Sequence, residues 1–123
     1  MGNTHKDLEI WKQGIELVVH IYQATLTFPK DEEYGLKSQM RRAAVSYPSN
    51  IAEGAARASR RGYTQFLRVS LGSLSELETQ VVIAERLGYL KGASLLEEVE
   101  ALRRKTLNLI KYMKTDKNDG RGK

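Results

Sequence analysis

The chain has 123 residues, of which 41% are hydrophobic and 28% are charged, and it carries a net charge of +5. This length and composition fit a single folded, helical domain rather than a disordered chain. Cysteine is absent, which excludes a disulfide framework, and no apolar run is long enough for a membrane span or a secretory signal; we therefore expect a cytoplasmic protein with no membrane partner.

The first two predicted helices run from about Thr4 to Phe28 and from about Leu36 to Arg57, separated by Pro29 and a short polar link. In the first helix, apolar residues recur three and four positions apart, which is typical of one buried face: Leu8, Trp11, Ile15, Val18/Val19, Tyr22 and Leu26. Helix two has its own apolar stripe, and it contains a proline.

The third predicted helix covers about residues 60 to 87, and the fourth begins near Ser94, where Glu97 completes a capping-box pattern. Four long helices with short links bury their stripes best as an all-α, antiparallel up-down-up-down four-helix bundle, which we assign to residues 1–115. The segment 116–123 is polar and contains glycine, so it is predicted to be a disordered basic tail.

The stretch around Pro48 is the most unusual part of the sequence. A proline inside a helix costs about 3 kcal/mol unless neighbouring groups compensate for the lost backbone bond. Counting from the turn near Ser59 puts Asn50 opposite about residues 68–70, so a polar bond between helices two and three is expected to fix their register. The residues assigned to this structural motif are Pro48, Asn50, Glu53, Gly54, Ser70, Gly72 and Ser73.

No residue set predicts an enzyme, a cofactor site or a metal site. Glu53 has no histidine, cysteine or second acid spaced to work with it, and the glycine-rich nucleotide-binding motifs are absent. The two histidines, His5 and His20, both lie on helix one, so the paired motifs of a di-iron bundle cannot form. Glu16 and His20 are one turn apart and could touch a metal, but a surface contact is the favoured interpretation.

Charge is unevenly distributed along the chain. Residues 1–33 sum to −3, residues 34–75 to +6, residues 76–100 to −4 and residues 101–123 to +6. Antiparallel threading brings the link between helices two and three to the same end of the bundle as the C-terminal part of helix four. The resulting basic pole is predicted to bind nucleic acid through Arg57, Arg60, Arg61, Arg68, Lys111, Lys114 and Lys117.

The same charge pattern is compatible with two roles that involve no nucleic acid. Cations near helix C-termini and acids near helix N-termini are what the helix dipole favours, and a soluble bundle needs charged residues in any case. The basic surface could also contact a protein partner. Base-specific readout is not expected, because no helix-turn-helix, zinc-finger or RNA-recognition signature is present.

Several motifs carry a resemblance to a known family. They are the run Gln39-x-x-Arg42-Ala43-Ala44-x-Ser46, the run Asn50–Gly54, the run Gly72–Thr79 without its Ser75, and Leu87-Gly88-Tyr89-Leu90. Together they resemble the four-helix-bundle proteins encoded by intervening sequences of bacterial large-subunit ribosomal RNA genes, often labelled ribosomal proteins. The bundle is also similar to the accessory variability proteins of diversity-generating retroelements.

The resemblance covers about residues 8 to 113. It implies a bundle that assembles into a ring of five, with RNA or DNA as a partner and a larger enzyme such as a reverse transcriptase as a further one. A homo-oligomer is also expected from a second apolar face. Its residues are predicted to be Ile10, Val19, Leu71, Leu96, Leu107 and Ile110.

Overall fold

The computed structural model describes the backbone of residues 5–121 and the side chains of residues 9–114. It contains four α-helices and one short 3₁₀ turn: α1 (His5–Ala24), the 3₁₀ turn (Lys30–Glu32), α2 (Leu36–Ala55), α3 (Arg60–Arg86) and α4 (Ala93–Arg121). The all-α prediction is confirmed, and no strand occurs within the described backbone. The sequence assigned residues 116–123 to a tail outside the bundle; the described backbone of residues 116–121 continues α4, and their side chains, that of Lys117 included, lie outside the described residues.

Contacts between the helices show the antiparallel threading. Along α1 and α4, Glu9 pairs with Lys105 while His20 pairs with Glu98, so the residue numbers run in opposite directions. Helices α2 and α3 show the same reversal, because Ser46 bonds Ser73 and the carbonyl of Tyr47 accepts from Ser70. The predicted up-down-up-down bundle is therefore the observed one.

Helix α1 buries a different face from the one predicted. The core takes Ile10, Leu17 and Ile21, each no more than 2% exposed, followed by Phe28 beyond the end of the helix. Most of the predicted stripe is instead on the outside, with Trp11, Ile15, Val19, Tyr22 and Leu26 between 38% and 67% exposed. Of its other members, Val18 packs partly buried against the core, and the side chain of Leu8 lies outside the described residues. The two stripes lie next to each other and both have helical spacing, so periodicity alone could not separate them.

Gly14 explains why the inner stripe faces the core. A methyl group at this position would lie 2.8 Å from the ring of Tyr47 and 3.4 Å from Pro48, so only glycine allows α1 to approach α2 this closely. Tyr47 is fully buried, and its hydroxyl bonds that of Thr106 on α4 at 2.8 Å. Burial raises the pKa of Tyr47, which keeps the phenol protonated and able to donate this bond.

Most of the predicted second apolar face also belongs to the core. Ile10 and Ile110 are buried, and Leu71 and Leu96 are half-buried against the core cluster. Only Val19 and Leu107, at 43% and 41% exposed, lie outside. Ile10 was left over because a neighbouring stripe of α1 was taken for the core. On α3 and α4 the predicted stripes are themselves buried, and Leu71, Leu96 and Ile110 widen the buried face of those helices.

Polar side chains join α2 to α3 around Pro48, which is itself buried within a continuous helix. The hydroxyls of Ser46 and Ser73 lie 2.7 Å apart, and Ser70 donates to the carbonyl of Tyr47 at 2.9 Å. Asn50 does not reach α3 as predicted; its amide donates to the carbonyl and hydroxyl of Ser46, at 2.8 and 2.9 Å. The register bond therefore uses Ser46, and Asn50 supports that serine from one turn away.

The two glycines of the predicted motif have different surroundings. A methyl group at Gly54 would lie 2.7 Å from Cβ of Phe66 and 3.2 Å from the carbonyl oxygen of Tyr63, so this glycine allows α2 and α3 to come together. Gly72 has no such neighbour: nothing lies within 4 Å of a methyl group there. Close packing therefore requires glycine at Gly54 and not at Gly72.

We predict opposite effects of alanine at these two positions. Gly54→Ala should lower the free energy of unfolding by about 1–3 kcal/mol, because the clashing atoms belong to or adjoin the α3 backbone and cannot rotate away. Gly72→Ala should raise it by up to about 1 kcal/mol, because alanine favours an exposed helix interior over glycine. Urea unfolding followed by circular dichroism measures both, and equal effects would refute this account of the helix contact.

Candidate nucleic-acid interface

The structure brings the α2–α3 link and the C-terminal part of α4 to the same end of the bundle. Ser59 begins α3 as its N-cap, accepting a bond from the backbone N–H of Gly62 at 3.0 Å. This places Arg60 beside α4, where its guanidinium donates to the carbonyl of Met113 at 3.4 Å. The two segments of the predicted basic pole therefore lie next to each other, and the bond from Arg60 to Met113 joins α3 to α4 there.

A shallow groove of about 220 Å³ lies between α3 and α4 at this pole. It is lined by Arg61, Thr64, Gln65, Arg68, Met113 and Lys114. Three of these six side chains are cations and none is an acid. We call this surface the α3–α4 groove.

The predicted cations fall into two groups. Arg57 and Arg60 are engaged: Arg57 pairs with Glu53 at 3.0 Å and covers the ring of Phe66 at 4.6 Å, while Arg60 bonds α4. Arg61, Arg68, Lys111 and Lys114 form no ion pair with any side chain of residues 9–114. The positive charge that remains for a ligand is thus on this second group.

Lys111 does not line the groove but lies one turn before Lys114 on α4, which continues the positive surface along that helix. Thr64 and Gln65 line the groove and were missed in the sequence. Gln65 could have been found from its spacing, because residues 61, 65 and 68 share one face of a helix. The hydroxyl of Thr64 already donates to the carbonyl of Arg60 at 2.8 Å, so Gln65 is the neutral polar side chain left for a ligand.

The structural-motif residues have structural partners. Ser70 is fully buried and Ser73 nearly so, each bonded to α2, while Pro48 is inside the core. Glu53 is exposed on the surface and occupied by Arg57. None of these side chains points into the α3–α4 groove as a lining residue.

Other titratable groups also pair within the bundle. Nδ1 of His20 lies 2.9 Å from both carboxylate oxygens of Glu98 on α4, so this histidine joins two helices. Burial, together with the carboxylate of Glu32 that accepts its hydroxyl, raises the pKa of Tyr89 and keeps that phenol protonated. Within the described residues, no group of three histidine, cysteine or acidic side chains could hold a metal ion.

Comparison with known proteins finds one matching family model and a solved structure with the same fold. Residues 6–113 match the model of the family described as 23S rRNA-intervening sequence protein. A solved structure from Bacteroides thetaiotaomicron VPI-5482, a protein of unknown function from the S23 ribosomal protein family, superposes with a TM-score of 0.79 at 21% identity. The superposition covers 86% of this chain and 98% of the other, and at this identity it shows the shared fold alone.

No curated protein matches the sequence. Within the described part of the chain, none of the helices combines the length and apolar character required to cross a membrane.

Proposed function

The chain belongs to the 23S rRNA-intervening sequence protein family, and we propose that it is a non-catalytic, oligomeric protein that binds RNA or DNA through its α3–α4 groove. One observation carries this proposal: the groove holds Arg61, Arg68 and Lys114 with no acid in its lining. The family description concerns sequences that intervene in 23S rRNA, so structured RNA is the first ligand to test.

The groove suits a phosphate backbone on physical grounds. Arg61 and Arg68 are two turns apart on one face of α3, about 10 Å along the helix, and Lys114 faces them from α4. Arginine can form paired bonds to a phosphate, and each neutralised phosphate releases condensed counterions. Helix side chains that contact phosphates in this way read the shape and charge of a nucleic acid rather than its sequence.

The helix dipole does not account for all of these cations. It favours positive charge near a helix C-terminus, but Arg61 is in the first turn of α3, where the dipole favours acids. Arg68 lies two turns into the same helix, beyond the range of the dipole effect. The helix dipole therefore gives no reason for an arginine at either position, and binding of an anionic ligand explains these two residues better than helix stability does.

We expect Arg61→Glu to weaken binding to a labelled structured RNA by at least about tenfold at low salt, because it replaces a phosphate contact by a repulsion. The slope of log affinity against log salt should also become shallower by about one. Fluorescence anisotropy at several salt concentrations measures both quantities.

Arg86→Glu is the matched control, since it makes the same charge change in the last turn of the same helix. It should leave affinity within a few-fold of the unmodified protein. Equal losses in the two variants would mean that net charge, and not the groove, governs binding.

We also propose that the outer stripe of α1 is the surface through which copies of this chain associate. Trp11, Ile15 and Val19 follow one another at intervals of four residues and are each about 40% exposed, with Leu26 further along the same stripe. Lys12 and Glu16 flank it and form no ion pair within residues 9–114, so a second copy can supply the opposite charge to each. The family resemblance implies five copies.

Association through this stripe predicts that Ile15→Glu lowers the assembled mass toward the 13.9 kDa of one chain, because a carboxylate would have to be buried at the contact. Light scattering at micromolar concentration measures the mass. Trp11, the single tryptophan, gives a second readout, since its emission should shift to the red on dissociation.

Val82→Glu, a comparable change at a half-exposed position on α3, is the control and should leave the mass unaltered. A mass of one chain for the unmodified protein at micromolar concentration would rule out self-association.

The alternative function that we propose is a protein-interaction scaffold or accessory subunit of a larger enzyme such as a reverse transcriptase. The two functions differ in their response to salt. Binding to RNA or DNA should fall steeply as salt rises, whereas a scaffold would show no affinity for either polymer even at low salt.

A further inference from the structure

A second and larger cleft lies between the end of α1 and the first half of α2, about 530 Å³ in volume. Its lining includes two tyrosines, three cations and a serine: Tyr22, Tyr34, Lys37, Ser38, Arg41 and Arg42. One acid, Glu33, also lines it and pairs with Lys37 at 3.0 Å. This α1–α2 cleft is at the start of α2, whereas the α3–α4 groove is at the level of the last turns of that helix, where Gly54 contacts Tyr63 and Phe66, so the two surfaces are separate.

Arg41 is held in a fixed position within the cleft. Its Nε donates to the hydroxyl of Thr25 at 2.9 Å, its Nη2 donates to the carbonyl of Tyr22 at 3.0 Å, and the guanidinium lies 4.2 Å from the centre of the Tyr22 ring. All of these partners are neutral. The charge of Arg41 is therefore oriented but not cancelled, and an anion in the cleft would meet a donor that needs no reorganisation.

Arg42 and Tyr34 complete the cleft from the solvent side. Arg42 is exposed and forms no ion pair with the side chains of residues 9–114. Tyr34 is 94% exposed, in the turn between the 3₁₀ segment and α2, so its ring contributes almost nothing to the core. An exposed aromatic ring beside uncancelled arginines is the combination that stacks on a nucleic-acid base and holds its phosphate.

We propose that the α1–α2 cleft binds a nucleoside phosphate, with the base stacked on Tyr34 and the phosphate held by Arg41 and Arg42. Ser38 supplies a neutral hydroxyl beside them, and Val45 provides an apolar part of the lining. The ligand is either a free nucleotide or an unpaired nucleotide within a strand, because both present the same base and phosphate.

An acidic peptide fits the cleft less well. Arginine clusters also recognise acidic peptide motifs, but a glutamate-rich segment would use the arginines and leave the exposed ring of Tyr34 without a partner. This cleft has no strand edge within the described backbone to pair with an extended peptide, and every lining side chain except that of Val45 carries a polar or charged group. A planar ring with a phosphate uses these groups more completely than a peptide backbone would.

Two probes test the proposal on the full-length protein: AMP, and a short unstructured oligoribonucleotide that contains 2-aminopurine, whose fluorescence falls when the base stacks. Tyr34→Ala should weaken binding of the oligonucleotide by about tenfold, while Tyr34→Phe should retain it, because the ring and not the hydroxyl does the stacking. Arg42→Glu should weaken it by a similar factor. Since both side chains are exposed, these variants should keep the fold and the assembled mass.

Matched controls separate this site from the α3–α4 groove. Arg104→Glu makes the same charge change at another exposed arginine and should have little effect on either probe. Arg61→Glu should weaken the binding of structured RNA but leave the binding of AMP unaltered. A negative result for RNA binding at the α3–α4 groove would therefore not count against the α1–α2 cleft. AMP binding that depends on Tyr34 and Arg42 identifies a free nucleotide as a ligand; dependence seen only with the oligonucleotide identifies an unpaired base in a strand.

Two results would overturn the proposal. One is that the unmodified protein binds neither probe, or that it binds them with an affinity that Tyr34→Ala and Arg42→Glu leave unchanged. The other is tight binding of a glutamate-rich peptide to the cleft, lost in Arg42→Glu, without any binding of the two nucleotide probes.

Discussion

The contact between α2 and α3 is the constraint on which the rest of the structure depends. Ser70 donates to the carbonyl of Tyr47 in the core, and the Ser46 and Ser73 hydroxyls bond one turn away, so the two helices cannot slide along each other without leaving buried polar groups unpaired. Gly54 lets the backbones approach at the end of this contact. The same stretch of α2 holds Tyr47 against Gly14 of α1 and Thr106 of α4, which ties all four helices to one register.

This register also decides which cations are left for a ligand. It brings Arg60 against the carbonyl of Met113, where it joins α3 to α4, and leaves Arg61 and Arg68 to face Lys114 across the α3–α4 groove. Other cations are cancelled within the bundle, as Arg103 is by Glu78 and Glu100. A positive surface that survives such pairing is better evidence for an anionic partner than net charge alone, because net charge counts engaged and free cations alike.

The bundle and its threading could be predicted from the sequence, because four apolar stripes with short links have few ways to pack. The buried face of α1 could not be predicted, since the stripe through Ile10 and the stripe through Trp11 both have helical spacing. Only Gly14, which lies on the stripe of Ile10, distinguishes the two. The basic pole followed from the threading, and the pairing of Arg57 with Glu53 could have been read from their four-residue spacing. The α1–α2 cleft could not be found, since it depends on where a short turn places Tyr34 relative to Arg41 and Arg42.

A designed cross-link tests the α2–α3 register most directly. The chain has no cysteine, so Ser46→Cys with Ser73→Cys introduces a single pair. The hydroxyls that the two thiols replace lie 2.7 Å apart, so the sulfurs need only a small shift to reach the length of a disulfide bond. Under mild oxidation, this variant should form an intramolecular disulfide, seen as faster migration in a non-reducing gel, and stay folded. Ser46→Cys with Val69→Cys, displaced by one turn on the same face of α3, should not. Efficient cross-linking of the displaced pair, or none of the first, would contradict the account.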